Sequence, residues 1–285
     1  MKVHFSPFYE QDAPSDWLWN VNGFDIVRCA RSGLVYLANP PSDSELEQFY
    51  SVEYFEGEQS RQGYASYEAD ENTLRRNARS MLDHVLDHSP ARDSLVDYGC
   101  AYGYFLDEAM PHFASATGIE LNEQVADVGR NRFNLAISTD ASAVLQPGSV
   151  DVITMWDVIE HLKHPRTALA ECGWALRPDG RLFLTTGDIG SPLARAMGRR
   201  WRLINPPQHI TYFSKQTISE LLEAVGFEVI EITRRCGKHV SLGFAAFIVG
   251  YLLGRKTPST PPQWLARRSL YVNLFDTMLV TARKG

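Results

Sequence analysis

The sequence predicts an α/β protein: a doubly wound, mostly parallel seven-stranded sheet with a small N-terminal subdomain and an inserted helical cap. Three observations predict it. From Leu95 onward, short β-rich runs alternate with helical patterns. Several runs are continuously apolar, as strands covered on both faces must be. Glycine-closed turns stand between helix and strand, at Arg177–Gly180 (RPDG) and Val225–Phe227 (VGF).

In chain order, strands are expected at Ser94–Tyr98, Ala116–Leu121, Leu135–Thr139, Val150–Trp156, Arg181–Thr186, Phe227–Thr233 and Met278–Ala282. Helical stretches between them are Tyr104–Ala109, Asn122–Arg132, Thr167–Leu176 and Lys215–Ala224. Residues 1–70, rich in aromatic, acidic and turn residues, are read as an N-terminal subdomain or lid. A helix over Asn72–Asp87 joins it to the main domain, residues 71–285. Insertions near 190–209 and 236–276 would sit over the carboxyl ends of the strands, where open α/β sheets bind ligands. The later one holds an apolar helix, Val240–Leu253, and a proline-rich turn, Thr257–Pro262.

Hydrophobic residues at 44% and charged residues at 22% exclude a disordered or collagen-like chain. A net charge of −6 argues against a nucleic-acid coat, so no nucleic-acid partner is expected. The charge is uneven: residues 1–70 carry −8, residues 71–189 carry −7 and residues 190–285 carry +9, which hints at an anionic ligand or surface. The four cysteines are dispersed, with no C-x-x-C pair, and read as reduced thiols of a cytoplasmic protein. The N-terminal residues lack the apolar run of a signal peptide. The most apolar window, Val240–Gly254, has 15 residues, short of the ~20 that cross a bilayer. No transmembrane segment is expected; peripheral membrane contact stays open, as do monomer and homodimer.

The segment Leu95–Phe105 (LVDYGCAYGYF) runs from a buried strand through a turn holding Gly99 and Gly103 into a helix. Glycine permits the backbone angles and close approach that a ligand needs at such a turn. The spacing D-x-G-x-A-x-G differs from the dinucleotide fingerprint G-x-G-x-x-G, whose third glycine would fall on Tyr104. A ligand without a pyrophosphate is therefore favoured. Glu120 ends the next strand, 21 residues after Gly99, where a carboxylate reaches two ribose hydroxyls. Asp140 ends the third strand, suited to an exocyclic adenine amine. Asp97, Glu120 and Asp140 would thus line one crevice.

Together with the runs DVITMWDVIEHLKHP and LRPDGRLFLTT, these motifs resemble the class I S-adenosylmethionine (SAM) dependent methyltransferases. The resemblance covers roughly residues 75–285. It departs at Ala101, which replaces the family's middle glycine. The resemblance implies SAM as cofactor, with Asp97, Gly99, Ala101 and Gly103 around its methionine part. It places Glu120 and Leu121 at the ribose, Asp140 at the adenine, and Trp156 and Asp157 beside the sulfonium. NPPQHITYFS, with Trp201 upstream, resembles the ubiquinone-biosynthesis O-methyltransferases. This points to a small-molecule acceptor methylated at a hydroxyl oxygen. Sugar or natural-product C-methylation, and an inactive SAM-binding partner subunit, are the alternatives.

Methyl transfer to a hydroxyl is helped by a base, and His161 and His209 are the candidates, with Asp157 beside them. The pattern D-x-x-E-H plus a remote histidine also resembles the metal-binding set of small-RNA 2′-O-methyltransferases. The expectation nevertheless is that Glu160 and His161 orient a helix beginning there, without a metal. Arg195, Arg199 and Arg202 would share a helix face able to grip an anionic acceptor. In the leader, VRCARSGLVYLANPP resembles a zinc knuckle whose second cysteine is replaced by Ser32, so no zinc is expected. Tyr50, Tyr54, Phe55, Tyr64 and Tyr67 are candidate lid aromatics.

Overall fold

The computed structural model describes residues 2–42, 45–46, 71–242 and 269–285. The five lid aromatics, the proline-rich turn and residues 243–253 of the expected apolar helix lie outside the described residues; Val240 and Ser241, expected to begin that helix, are instead in a strand paired with Leu270 and Ser269.

The main sheet follows the expected pattern closely. Its strands are β5 (Ser94–Tyr98), β6 (Ser115–Ile119), β7 (Ile137–Ser138), β8 (Val150–Trp156), β9 (Leu176–Gly187), β11 (Phe227–Thr233) and β14 (Thr277–Lys284). Their spatial order is β11-β14-β9-β8-β5-β6-β7. Pairing is parallel from β9 through β7, and β14 enters antiparallel between β9 and β11. The order reverses between β5 and β8, so a crevice opens at their carboxyl ends. β8 (VDVITMW) is buried at every position but its last, as a central strand covered on both faces must be.

Helices α1 (Glu71–His88), α2 (Tyr104–Ala109), α3 (Glu123–Phe133), α4 (Ala141–Val144), α5 (Pro165–Ala175), α6 (Pro192–Met197) and α7 (Lys215–Ala224) follow. Their starts are chemically marked. Asn122 accepts a hydrogen bond from the Val125 amide, and Ser214 forms a reciprocal capping box with Thr217. The RPDG turn is an excursion within β9: pairing to β8 skips from Leu176 to Arg181, with Asp179 at φ +62°.

The helix expected to begin at Glu160 and His161 does not form there. After Asp157 the chain makes a short 3-10 turn, Ile159–His161, and α5 begins only at Pro165. Proline is favoured at a first helical position, but it disfavours helical angles at the residue before it, His164. Glu160 and His161 therefore do not share the face of a regular helix.

The N-terminal residues form a second sheet. β1 (Lys2–Ser6), β2 (Gln11–Val21), β3 (Phe24–Cys29) and β4 (Val35–Leu37) pair antiparallel in sequence order. The fifth strand is β10 (Thr211–Tyr212), contributed by the main domain and paired to β4. The apolar contacts of this sheet include Ile26, Val35 and Leu37 packed with Ala194, Trp201, Ile204 and Tyr212. A two-stranded hairpin, β12 (Lys238–Ser241) with β13 (Ser269–Val272), is tied to α1. There the Asn77 amide both donates to the His239 carbonyl and accepts from the His239 N–H.

Candidate active site

The cofactor half is built from the ends of β5, β6 and β7. The Gly99 and Cys100 amides both donate to the Ile119 carbonyl, at 2.7 and 3.0 Å, which locks the turn after β5 onto β6. Gly99 sits at φ +76°, and a Cβ there would lie 2.5 Å from Val158 Cγ2. Gly103 sits at φ +80°, with Leu135 Cδ1 2.3 Å from an added Cβ. Both positions require glycine by angle and by space. Ala101 also takes a left-handed angle, φ +48°, a strain of roughly 1 kcal/mol or more for a residue with a Cβ. Its amide donates to Glu120 Oε2 at 3.1 Å, which offsets that strain.

Glu120 follows β6 directly. Its Oε1 accepts from the Asn122 amide at 3.0 Å and its Oε2 from Ala101. Each oxygen keeps a lone pair, so two further hydroxyl donors can be received. Burial pushes its pKa upward against those amide bonds. Leu121 beside it is 69% exposed, an apolar side chain ready to cover a ring. Asp97 is buried and accepts from the Thr154 hydroxyl at 2.7 Å. Burial chiefly, helped by the charge of Glu120, pushes it to about 7. Asp140 is exposed and caps α4, accepting from the Ser142 amide and hydroxyl. The donor set therefore fits SAM: a pinned carboxylate for the ribose, an apolar cover, and a left-handed turn for the amino-acid end.

The second half gathers segments far apart in the chain. Trp156 ends β8 with its ring against Phe105 at 5.1 Å, and its buried Nε1 lacks a hydrogen-bond partner among the described residues. Asp157 takes φ +54°. Its amide donates to the Thr185 carbonyl and hydroxyl oxygens, and its carboxylate accepts from the Thr185 hydroxyl and pairs with Lys238 of β12. Burial opposes the charge of Asp157, but the Lys238 ammonium, Thr185 and His161 outweigh it and hold the pKa low.

Glu160, three residues on, is buried, and its Oε2 lacks a hydrogen-bond partner among the described residues. Burial, with the Asp157 charge nearby, pushes it up to about 8. His161 and His209 meet edge to face, ring centroids 4.8 Å apart. His161 Nδ1 bonds the Gln208 carbonyl at 2.8 Å, and His209 Nδ1 the Leu203 carbonyl at 2.9 Å. Because a carbonyl only accepts, both bonds assign the proton to Nδ1 and make Nε2 the basic nitrogen. Burial lowers both pKa values, and with the neighbouring His161 it takes His209 down to about 3. One ligand atom from each of Glu160, His161 and His209 lies within 4.8 Å of the others.

The structure thus brings His161, His209 and Asp157 together, as it does Asp97, Gly99, Ala101, Gly103 and Glu120. Arg195, Arg199 and Arg202 do not share one helix face, as a grip on an anionic acceptor would need. Arg202 is held by the buried Asp276, α6 ends at Met197, and Arg195 and Arg199 are exposed. One residue and one strand were missed by the sequence reading. Lys238 lies 81 residues from Asp157, with no motif around it. Strand β10 carries the segment after His209: the Ile210 amide donates to the Glu160 carbonyl, and the Leu37 amide donates to the Ile210 carbonyl. In the leader, Cys29 is buried, and its C-x-x-S turn closes on itself through Gly33 N–H to the Cys29 carbonyl and Leu34 N–H to Ser32 Oγ.

Comparison with known proteins agrees with this architecture. Residues 67–232 match the model of a family described as a methyltransferase domain. A ubiquinone biosynthesis O-methyltransferase of Nitrosococcus oceani is 28% identical over 192 residues, covering 58% of this chain and 81% of that one. A protein of the same name from Cupriavidus pinatubonensis is 34% identical over 105 residues, only 34% of this chain and 42% of that one. Among solved structures, a magnesium protoporphyrin IX methyltransferase from Synechocystis aligns with TM-score 0.54 at 12% identity, over 86% of this chain and 100% of its own. A SAM-dependent methyltransferase from Thermotoga maritima aligns with TM-score 0.51 at 18% identity, over 77% of this chain and 93% of its own. These structural likenesses speak to the fold. With the family match spanning more than half its residues, the chain belongs to the methyltransferase domain family and is a SAM-dependent methyltransferase.

Proposed function

We propose that this enzyme methylates a hydroxyl oxygen of a small-molecule acceptor, with His209 as the proton acceptor and His161 beside it. The observation that carries the reading is the pair of histidines at the strand ends, each with Nδ1 tied to a backbone carbonyl. When bound, SAM supplies an electrophilic methyl group on a sulfonium. The chain's residues do the rest. Glu120 and Leu121 hold the ribose side, Asp97 and the Gly99–Gly103 turn the amino-acid side, and Asp140 the adenine. Trp156 and Asp157, at the end of β8, flank the reacting centre and help exclude water, as in-line displacement requires. The acceptor hydroxyl gives its proton to His209 Nε2 as its oxygen takes the methyl group. Glu160, when ionised, stabilises the imidazolium so formed. A base of such low intrinsic pKa needs that neighbouring negative charge.

Replacing His209 by alanine tests this reading: turnover should fall while SAM affinity is kept, and full activity would remove His209 from the reaction. A second reading, a divalent cation on Glu160, His161 and His209, is favoured by one observation, the convergence of three ligand atoms within 4.8 Å. Such an ion would act on the acceptor oxygen as a Lewis acid. Dialysis against a chelator separates the two. Activity that persists supports the proton-acceptor reading; activity lost and restored by a divalent ion supports the metal.

A further inference from the structure

A second set of potential ligands lies where α1 crosses the antiparallel end of the main sheet. His84 and His88 stand one helical turn apart on α1, their rings stacked with centroids 4.1 Å apart. Glu231 comes from β11, and one ligand atom from each of the three lies within 4.8 Å of the others. We propose that His84, His88 and Glu231 form a binding site for a divalent transition metal of the zinc class, which staples α1 to the edge of the sheet.

The local geometry prepares the ligands. β11 and β14 shift register between Val229 and Glu231, and the bulge leaves Glu231 directly opposite Thr281, which in turn pairs with Phe183. Residues directly paired across a sheet share a face. Phe183 meets the His84 ring edge-on at 5.8 Å, and the Thr281 hydroxyl lies 3.0 Å from His84 Nε2, so this row faces α1. The bulge thereby aims Glu231 at the histidines, a re-aiming that bulges commonly perform.

Both imidazoles are held by an oxygen at one ring nitrogen. His88 Nδ1 donates to the His84 carbonyl at 2.8 Å, leaving Nε2 as its lone-pair nitrogen. His84 Nε2 is anchored on Thr281, leaving Nδ1. Holding one nitrogen on an oxygen while the other faces the ion is how protein shells orient metal-bound histidine. Tetrahedral ligands at ~2.0–2.1 Å from zinc stand roughly 3.3 Å apart. Glu231 is exposed, so its carboxylate can close that distance by a rotamer change while the His88 ring keeps its bond to the His84 carbonyl. Two imidazoles and one carboxylate suit zinc, cobalt, nickel or copper over magnesium or calcium.

The staple would act on the helix that backs the cofactor turn. Arg75 of α1 pairs with Asp107 and Glu108 of α2, and Asn77 holds the hairpin bearing Lys238. The test uses the tag-free chain, Zn2+ in equilibrium dialysis, and thermal melting with and without the ion. The wild type should melt higher with Zn2+. His88→Ala should lower the bound zinc by one equivalent, or its affinity at least tenfold, and should abolish the thermal gain. Methyl transfer without added metal should be unchanged, and Glu231→Gln should weaken binding in the same direction. The proposal is overturned if the wild type binds no zinc, or if His88→Ala binds as the wild type does. It is also overturned if all bound zinc disappears in His209→Ala, which would place the ion on the catalytic histidines.

Discussion

The two halves of the proposed active site are built by different means. On the cofactor side, Asp97, Gly99 and Glu120 lie within 24 consecutive residues, at the ends of two adjacent parallel strands. Backbone amides hold the turn and Glu120: Ala101 and Asn122 donate to Glu120, and Gly99 and Cys100 clamp onto Ile119, while Asp97 takes the Thr154 hydroxyl of the neighbouring strand. On the acceptor side, Asp157, Glu160, His161, His209 and Lys238 come from a 3-10 turn, an insertion and a hairpin. Side chains and single backbone bonds join them across dozens of residues. The first half is a property of the strand–turn–helix unit itself. The second exists only once the whole chain has folded around it, so it is the half free to vary with the acceptor.

That contrast breaks if substitutions on the two sides have interchangeable effects. The largest expected effect is His209→Ala, with turnover down about 10²- to 10⁴-fold and the SAM dissociation constant from calorimetry unaltered. Next is Glu120→Ala, which should weaken SAM binding at least tenfold, about 1.4 kcal/mol. Unchanged affinity would undo the ribose assignment.

Glu160 sharpens the comparison through pH. In the folded chain its carboxyl is pushed up to about 8 from an ordinary value of 4.5. Between those values the folded state holds a proton that the unfolded chain has released. Its contribution to stability is therefore greatest at the acid end, declines as pH rises through the window, and is level above about 8. Glu160→Gln should flatten that decline in melting temperatures taken across the window. A slope identical to the wild type would show that Glu160 is not the group responsible. The smallest expected effect is Leu121→Ala, which should weaken SAM roughly two- to fivefold, in line with a few apolar carbons no longer covered at ~25 cal/mol per Å². Acceptor affinity should stay constant.

The same division decided what could be read from the sequence. β5 and β8 fall where expected because they are central strands, buried almost throughout, while β11, at the sheet edge, begins where Gly226 closes the turn after α7. The glycine turn and Glu120 were legible because their spacing is local. β10 has two residues, too few for any period to register. Lys238 is an ordinary lysine until the hairpin carries it to Asp157. That no helix runs from Glu160 and His161 into α5 could have been read from Pro165 itself. So could the N-terminal hairpin β2–β3, since Asn22-Gly23, both at positive φ, is the turn dipeptide that joins tightly paired strands. Arg202 and Arg234 look like a free basic surface in sequence. In the structure they neutralise the buried Asp276 and Asp188, acids whose burial no local pattern announces.

Strand β10 belongs to one sheet by hydrogen bonding and to the other domain by covalent order, with His209 two residues before it. The leader is consequently not a detachable module. A chimaera that borrowed residues 1–42 from a relative would also need that relative's segment through Tyr212, or leave β4 with a mismatched neighbour and the histidine adrift. On the proposed function, acceptor choice should therefore be inherited as a linked pair of segments, residues 1–42 and the stretch through Tyr212, far apart in the gene.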